Sequence, residues 1–274
     1  MRIKDARRLL LGKLDSTDAR IILRLATGLD DIHQITEGES ELATEAEAAI
    51  HTLMEKRLSG IPMAYIMGEK EFYGIPFHVS ESVLIPRPDT ETLVDTAIEL
   101  AGRFRNPRVL DLCTGSGAIG TAIAHTLSIP VALSDISSEA IAIASGNYRS
   151  NIGKEPDART GDLFGPWEGS VFDIIATNPP YLTDDWYEET ERDVKAEPMN
   201  ALVGGGRDGL DIIRRIISQA PDYLSPDGYL AIECDYRQIE ICGRLLETEG
   251  FSDIASRKDL AGKERVVYGR RNSK

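Results

Sequence analysis

Two hydrophobic rhythms divide the chain. Through residues 1–60 apolar positions recur at helical spacing: Ile21, Ile22, Leu25 and Leu29 in DARIILRLATGL, then Ala46, Ala49, Ile50, Leu53 and Leu58 in ATEAEAAIHTLMEKRLSG. Gly28 and Gly60 follow these stripes and predict helix stops. The pattern predicts a small helical domain whose stripes pack on one another. Over residues 61–88 the rhythm changes. EFYGIPFHVS mixes aromatic and β-branched residues around Gly74, Ile75 and Pro76 and predicts a β-hairpin. The prolines of LIPRPDTETLVDTAIELA then predict an extended stretch, with Asp89 or Thr90 placed to cap the helix that follows.

Residues 89–274 form the third section, and from about 105 short apolar runs alternate with longer amphipathic ones. Strands are expected at 108–113, 131–136, 172–177 and 229–234, with a weaker one at 157–161. Helices are expected at 117–127, 137–150, 208–222 and 236–249. FSDIASRKD and ERVVYGR read as a terminal strand pair, and the charged stretch 183–200 as a loop insertion. This alternation predicts an α/β domain, a mostly parallel sheet covered by helices.

Composition narrows the reading. A 274-residue chain with 42% hydrophobic residues can bury a main core and a smaller one. No run approaches the ~18 apolar residues of a membrane span, and MRIKDARRLLLGKLD is too charged for a secretory signal. Three cysteines and four histidines lack metal-ligand spacing, so no metal site and a reduced, cytoplasmic setting are expected. The net charge of −14 disfavours broad binding to nucleic acid and leaves a small molecule or a protein as partner.

Candidate chemistry lies at three strand ends. In RVLDLCTGSGAIGTAIA a strand runs into a helix through Cys113, Thr114, Gly115, Ser116 and Gly117, and Gly120 completes G-x-G-x-x-G. Such a loop lets a ligand approach backbone at a helix N-terminus. Asp135 ends the next strand and can accept from both hydroxyls of a ribose, so the pair indicates a nucleoside-containing cofactor; the plain alternative is a tight turn and a capping acid. Asp111, ahead of the loop, favours S-adenosylmethionine over NAD, because an acid there can hold the ammonium of a methionine moiety, directly or through water. In TGDLFG, Asp162 can accept from an adenine amino group and Phe164 can cover the ring, unless Phe164 simply packs in the core.

The third strand end reads Asn178, Pro179, Pro180, Tyr181. Two prolines offer carbonyls and no N–H. With the Asn178 side-chain oxygen, the Pro179 carbonyl can receive the two hydrogens of a planar NH₂ group while Tyr181 packs on it. Acceptors set off the plane of an amide favour a pyramidal nitrogen whose lone pair faces a sulfonium methyl. The arrangement suits methyl transfer to an amide or amino nitrogen.

With these motifs in place the chain resembles S-adenosylmethionine-dependent methyltransferases of Rossmann-like fold, and among them the release-factor glutamine methyltransferases. GIPMAYIMGEKEFYGIPFHV, VLIPRPDTETLV, VLDLCTGSGAIG, NPPY, ALVGGGRDGLDIIRRII and KDLAGKERVV carry the resemblance, in order, over most of the chain. It implies a helical N-terminal domain (1–60), a hairpin linker (61–88) and a seven-stranded catalytic domain (89–274). It also implies N5 methylation of the glutamine in the Gly-Gly-Gln motif of peptide chain release factors. By position, residues 113–117, Asp135, Phe164 and Asn178 are implied to touch the cofactor, Asn178 through Tyr181 to hold the glutamine, and Leu84 and Pro86 to close over the cofactor. Cys113 stands where such loops often carry glycine, and a small side chain is expected to be tolerated there unless the position requires positive φ. The competing readings are an adenine or guanine N-methyltransferase acting on DNA or RNA, which shares NPPY, and a nicotinamide oxidoreductase, which rests on the glycine loop alone.

Overall fold

The chain opens with α1 (Ile3–Leu11), α2 (Ser16–Thr27), α3 (Asp31–Thr36), α4 (Thr44–Leu58) and α5 (Met63–Met67) in a computed structural model that describes residues 1–272. Asp15 accepts from the N–H groups of Thr17 and Asp18 at the start of α2, and Asp30 does the same for Ile32 and His33 at α3. Gly28 ends α2 in the left-handed conformation, as its position predicts. Ile22, Leu23, Ile50 and Met54 meet Ile3, Ala6 and Leu10 in a small core, while Leu25 and Leu58 remain exposed. By its contacts this unit comprises Met1–Gly68 together with Arg192–Ala196. The distant segment is tied in by Arg57, which bonds the buried Asp18 at 2.5 Å and Asp193 at 2.8 Å.

The second unit comprises Glu69–Glu191 and the chain from Glu197 onward. Its first element is a hairpin, β1 (Glu69–Phe72) and β2 (Ile75–His78), turning through Tyr73 and Gly74, both at positive φ. Then follow α6 (Glu91–Ala101), β3 (Val109–Leu112), α7 (Ala118–Leu127), β4 (Val131–Asp135), α8 (Ser138–Ile152), β5 (Ala158–Thr160) and β6 (Phe172–Thr177). The charged insertion is structured: it contains α9 (Asp184–Glu188), α10 (Arg192–Lys195, part of the helical unit) and a short 3₁₀ turn, Met199–Ala201. The chain closes with α11 (Asp211–Tyr223), β7 (Leu224–Glu233), α12 (Ile239–Thr248), β8 (Phe251–Lys258) and β9 (Glu264–Arg271).

Among the described residues β3 to β9 form one seven-stranded sheet in the order β5-β4-β3-β6-β7-β9-β8. The first five of these strands are parallel, and β9 is antiparallel to both β7 and β8. Alternate side chains enter two cores. Val109, Leu133, Ile174 and Ala231 meet α6, α7 and α8, whereas Leu110, Ile175, Leu230 and Ile232 meet α11 and α12. Strand order reverses between β3 and β6, and the register sets Leu112 beside Ser134 on one side and Thr177 on the other. The residues after these three positions therefore emerge together at the place where such sheets bind ligands.

Candidate active site

A cavity of about 350 Å³ opens at this reversal point. Its walls come from residues 113–116 after β3, Asp135 and Ile136 at the end of β4, residues 161–163 after β5, and Asn178 and Pro180 after β6. Leu84 and Pro86 of the extended segment line it too. That segment is held by Glu197, whose buried carboxylate accepts from the Ile85 N–H at 2.9 Å and pairs with Arg87.

Asp135 knits the cavity floor. Its Oδ2 accepts from the Gly115 N–H at 2.9 Å and its Oδ1 from the Ser137 N–H at 3.0 Å. Burial raises this carboxyl above its ordinary range, against those hydrogen bonds. Each oxygen keeps a further lone pair for a ligand hydroxyl. The loop itself is shaped from beneath by Asp111, which is 0% exposed. Its Oδ2 accepts from Thr114 Oγ1 at 2.5 Å and from the Gly120 N–H at 2.8 Å, and burial pushes its pKa up to about 7. A Cβ on Gly120 would come within 2.4 Å of the Leu133 side chain and 3.0 Å of Asp111, so glycine lets α7 start close to β3 and β4. Asp111 therefore does not line the cavity, and a direct contact with a methionine ammonium is replaced by a structural role in the loop.

Two other expectations change with the packing. Phe164 is in the core, stacked on Tyr223 with ring centroids 4.6 Å apart, so it does not line the cavity; Leu163, at positive φ, forms the wall there. Asp162 does line the cavity, and its carboxylate pairs with Arg215 at 2.5 Å. Cys113 takes φ 61°, the left-handed region, so its departure from glycine stores backbone strain and is not a neutral exchange. Burial pushes its thiol up to about 12, which keeps it protonated and unreactive.

Residues 178–181 follow β6 as expected. Asn178 donates one of its two Nδ2 hydrogens to Thr90 Oγ1 at 3.3 Å, and Oδ1 has no protein donor on it among the described residues. Thr90 does not cap α6 through its side chain; it is 4% exposed and faces Asn178 instead. Pro180 lines the cavity, whereas Pro179 and Tyr181 lie outside that lining. Tyr181 is half-buried, and its hydroxyl lies 3.4 Å from Oε1 of the buried Glu233. The backbone here is clamped by the LVGGG segment: the N–H groups of Tyr181 and Leu182 both bond the Leu202 carbonyl, and Gln238 Nε2 bonds the Tyr181 carbonyl at 2.8 Å. Gly209 passes so close that a Cβ would strike the Tyr181 carbonyl.

Thr90, Glu197 and Glu233 were not identified from the sequence as site residues. Glu233 carried a signal, an acid closing the apolar run YLAI level with Asn178 at the end of the neighbouring strand. Glu197 carried none, because its partners lie 110 and 112 positions away. Among the described residues no group of three or more His, Cys, Asp and Glu is placed to hold a metal ion, and no helix is long and apolar enough to cross a membrane.

Comparison with known proteins adds the chemistry such a site performs elsewhere. Residues 3–68 match the PrmC N-terminal domain and residues 90–207 the methyltransferase small domain. The release factor glutamine methyltransferase of Clostridium acetobutylicum is 39% identical over 279 aligned positions, spanning 97% of this chain and 98% of that protein. That of Xylella fastidiosa strain 9a5c is 37% identical, over 94% of each. The 16S rRNA N2 G1207 methyltransferase of T. thermophilus, solved with AdoMet and guanosine, shares the fold at TM-score 0.56 and 21% identity, over 74% of this chain and 50% of that one.

Proposed function

Given that the chain belongs to the family of release factor glutamine methyltransferases, we propose that residues 178–181 hold the side-chain amide of a release-factor glutamine and that the adjoining cavity holds S-adenosylmethionine. The reaction is methylation of the N5 nitrogen of that glutamine, in the Gly-Gly-Gln motif. When bound, S-adenosylmethionine supplies an electrophilic methyl group on a sulfonium. The cavity fits it chemically: Asp135 offers two charged acceptors for ribose hydroxyls, while Ile136 and Leu163 give apolar walls for a base. Leu84 and Pro86 cover the ligand, and Glu197 keeps their segment in place.

One observation carries the substrate half of this reading. With one Nδ2 hydrogen held by Thr90, the Asn178 amide is fixed in orientation and can present its oxygen to the substrate. That oxygen and the Pro179 carbonyl accept the two amide hydrogens and hold the nitrogen with its lone pair toward the cofactor. Tyr181 packs against the amide. Two acceptors also stabilise the positive charge that grows on nitrogen during transfer. The extra proton then leaves the methylated nitrogen for water, so no strong base is needed before attack.

The helical unit, on this reading, docks the protein substrate and takes no part in chemistry. The setting is the cytoplasm, where release factors act. The decisive experiment is mass spectrometry of a release factor after incubation with the protein and S-adenosylmethionine. One methyl group on the Gly-Gly-Gln glutamine is expected. Methyl transfer to DNA or ribosomal RNA in parallel reactions, with none to the release factor, would overturn the reading.

A further inference from the structure

Behind residues 178–181 lies a carboxylate that the mechanism above leaves unused. Glu233 ends β7 and is 2% exposed. In register, Ile232 sits beside Thr177, so Glu233 sits beside Asn178. Its Oε1 is 3.4 Å from the Tyr181 hydroxyl, and its Oε2 is buried with no partner among the described residues. Thr90, which accepts from Asn178, lies near enough to Glu233 for its hydroxyl to favour the charged carboxylate. Both side chains that would meet the substrate amide are thus linked to one buried carboxylate, Tyr181 directly and Asn178 through Thr90.

That carboxylate is poorly compensated. Arg265, on β9, is the cation acting on it, but its guanidinium is also claimed by Asp89 at 3.1 Å and Asp259 at 3.3 Å. The charged and titratable groups around Glu233 are Asp89 beside Thr90, Tyr181, Arg265, the adjoining Cys234, and Asp235 two residues on. A buried acid with one orphaned oxygen and a shared counter-ion costs stability. A hydrophobic or amide side chain of similar size would pack there at lower cost. Residues that lower stability at a site are characteristic of positions held for function.

We propose that Glu233 is a positioning residue for methyl transfer, fixing the Tyr181 ring directly and the Asn178 amide through Thr90 so that both face the substrate nitrogen. The inference rests on the assignment of residues 178–181 to the glutamine. Burial pushes the Glu233 carboxyl up to about 7, against the hydrogen bond from Thr90 and the charge of Arg265. The folded value lies above the ordinary carboxyl value of 4.5. The folded protein therefore binds this proton more tightly than the unfolded chain. Stability is lost as pH rises from 4.5 to about 7, and the loss is complete above that. The charged form is the better acceptor for the two hydroxyls, so turnover gains a limb that rises through the same region.

The test compares Glu233→Gln, Tyr181→Phe and the double variant in the full-length protein, with methylation of a release factor and thermal melting as readouts. Glu233→Gln keeps the shape but not the charge. It should lower kcat by about tenfold at pH 8, as expected when a charge-assisted hydrogen bond becomes a neutral one. It should leave affinity for S-adenosylhomocysteine unchanged and abolish the rising limb near pH 7. It should also raise the melting temperature at pH 8, by about 2–4 °C, with the gain shrinking toward pH 5. The double variant should be little worse than the poorer single one, because both act on one contact. A Gln variant that loses stability and activity together, or keeps the wild-type kcat and pH profile, overturns the inference. Additive losses in the double variant also overturn it. Asn178→Ala is run alongside: if that variant retains turnover, the assignment of residues 178–181 fails instead.

Discussion

Replacing Asp135 by asparagine probes the cofactor half of the site, and the geometry sets how large the effect should be. In the native protein both oxygens already accept a backbone N–H, from Gly115 at 2.9 Å and Ser137 at 3.0 Å. Each has one further lone pair directed to ligand. Hydrogen bonds to a charged group contribute about 1.5–3 kcal/mol each. Removing two by Asp135→Ala should cost about 3 kcal/mol at the low end, about 100-fold in affinity. Asparagine keeps one neutral acceptor, so its affinity loss should be smaller, about 10–30-fold. Its stability loss should be larger. The new NH₂ group must face either the Gly115 or the Ser137 N–H, and a donor opposing a donor costs about 1–3 kcal/mol whether or not ligand is bound. Calorimetric titration with S-adenosylhomocysteine and thermal melting separate the two effects. The binding loss should rank Ala above Asn, and the melting loss Asn above Ala. Affinity of the native protein should also weaken on acidification sooner than an ordinary aspartate would allow, because burial raises this carboxyl, and the asparagine variant should lack that dependence. Affinities within about threefold of native for both variants, below even one ordinary hydrogen bond, would refute the ribose assignment.

Three further outcomes follow from packing. Gly209→Ala should lower turnover by about 100-fold with little change in cofactor affinity, since its Cβ would displace the Tyr181 carbonyl and an error of ~1 Å at the reacting group is enough for that loss; steady-state kinetics beside calorimetry checks this. Cys113→Gly should melt within about 2 °C of native, because relieved left-handed strain offsets the entropy of glycine, whereas the β-branched Cys113→Val should lose about 2 kcal/mol in denaturant titration. Arg57→Met should destabilise the helical unit by about 3 kcal/mol by leaving the buried Asp18 unpaired, and limited proteolysis should then cut near Arg192–Ala196.

Local signals made most of the catalytic unit legible. The inner parallel strands β3, β4 and β6 are largely apolar runs, as strands covered on both faces are, and the glycine loop, Asp135 and Asn178 mark their ends. What local reading missed depends on direction and distance. Phe164 and Leu163 are neighbours in TGDLFG, and only the positive φ of Leu163 decides which faces the cavity. Asp111 looked like a ligand-binding acid, but the period-2 alternation of β3 turns it under the loop, onto Gly120. The 183–200 stretch read as a loop because its helices are too short for a periodic pattern. Its tie to Arg57 spans 136 positions.

The excursion at Arg192–Ala196 makes the helical unit a clasp on the polypeptide rather than an appendage at its front. The chain passes from one unit to the other at three points, after Gly68, before Arg192 and after Ala196. Residue Glu197, immediately beyond the third, carries the carboxylate that fixes Ile85 and Arg87 at the cavity wall. Deleting residues 1–68 removes Arg57 and so takes from Asp193 its guanidinium partner. The proposed docking role is better tested by surface substitutions on α1 and α2 that leave Arg57 and Asp18 in place. An engineered protease site between Gly68 and Glu69 offers a complementary route, since one nick there leaves the clasp residues intact on both sides of the cut.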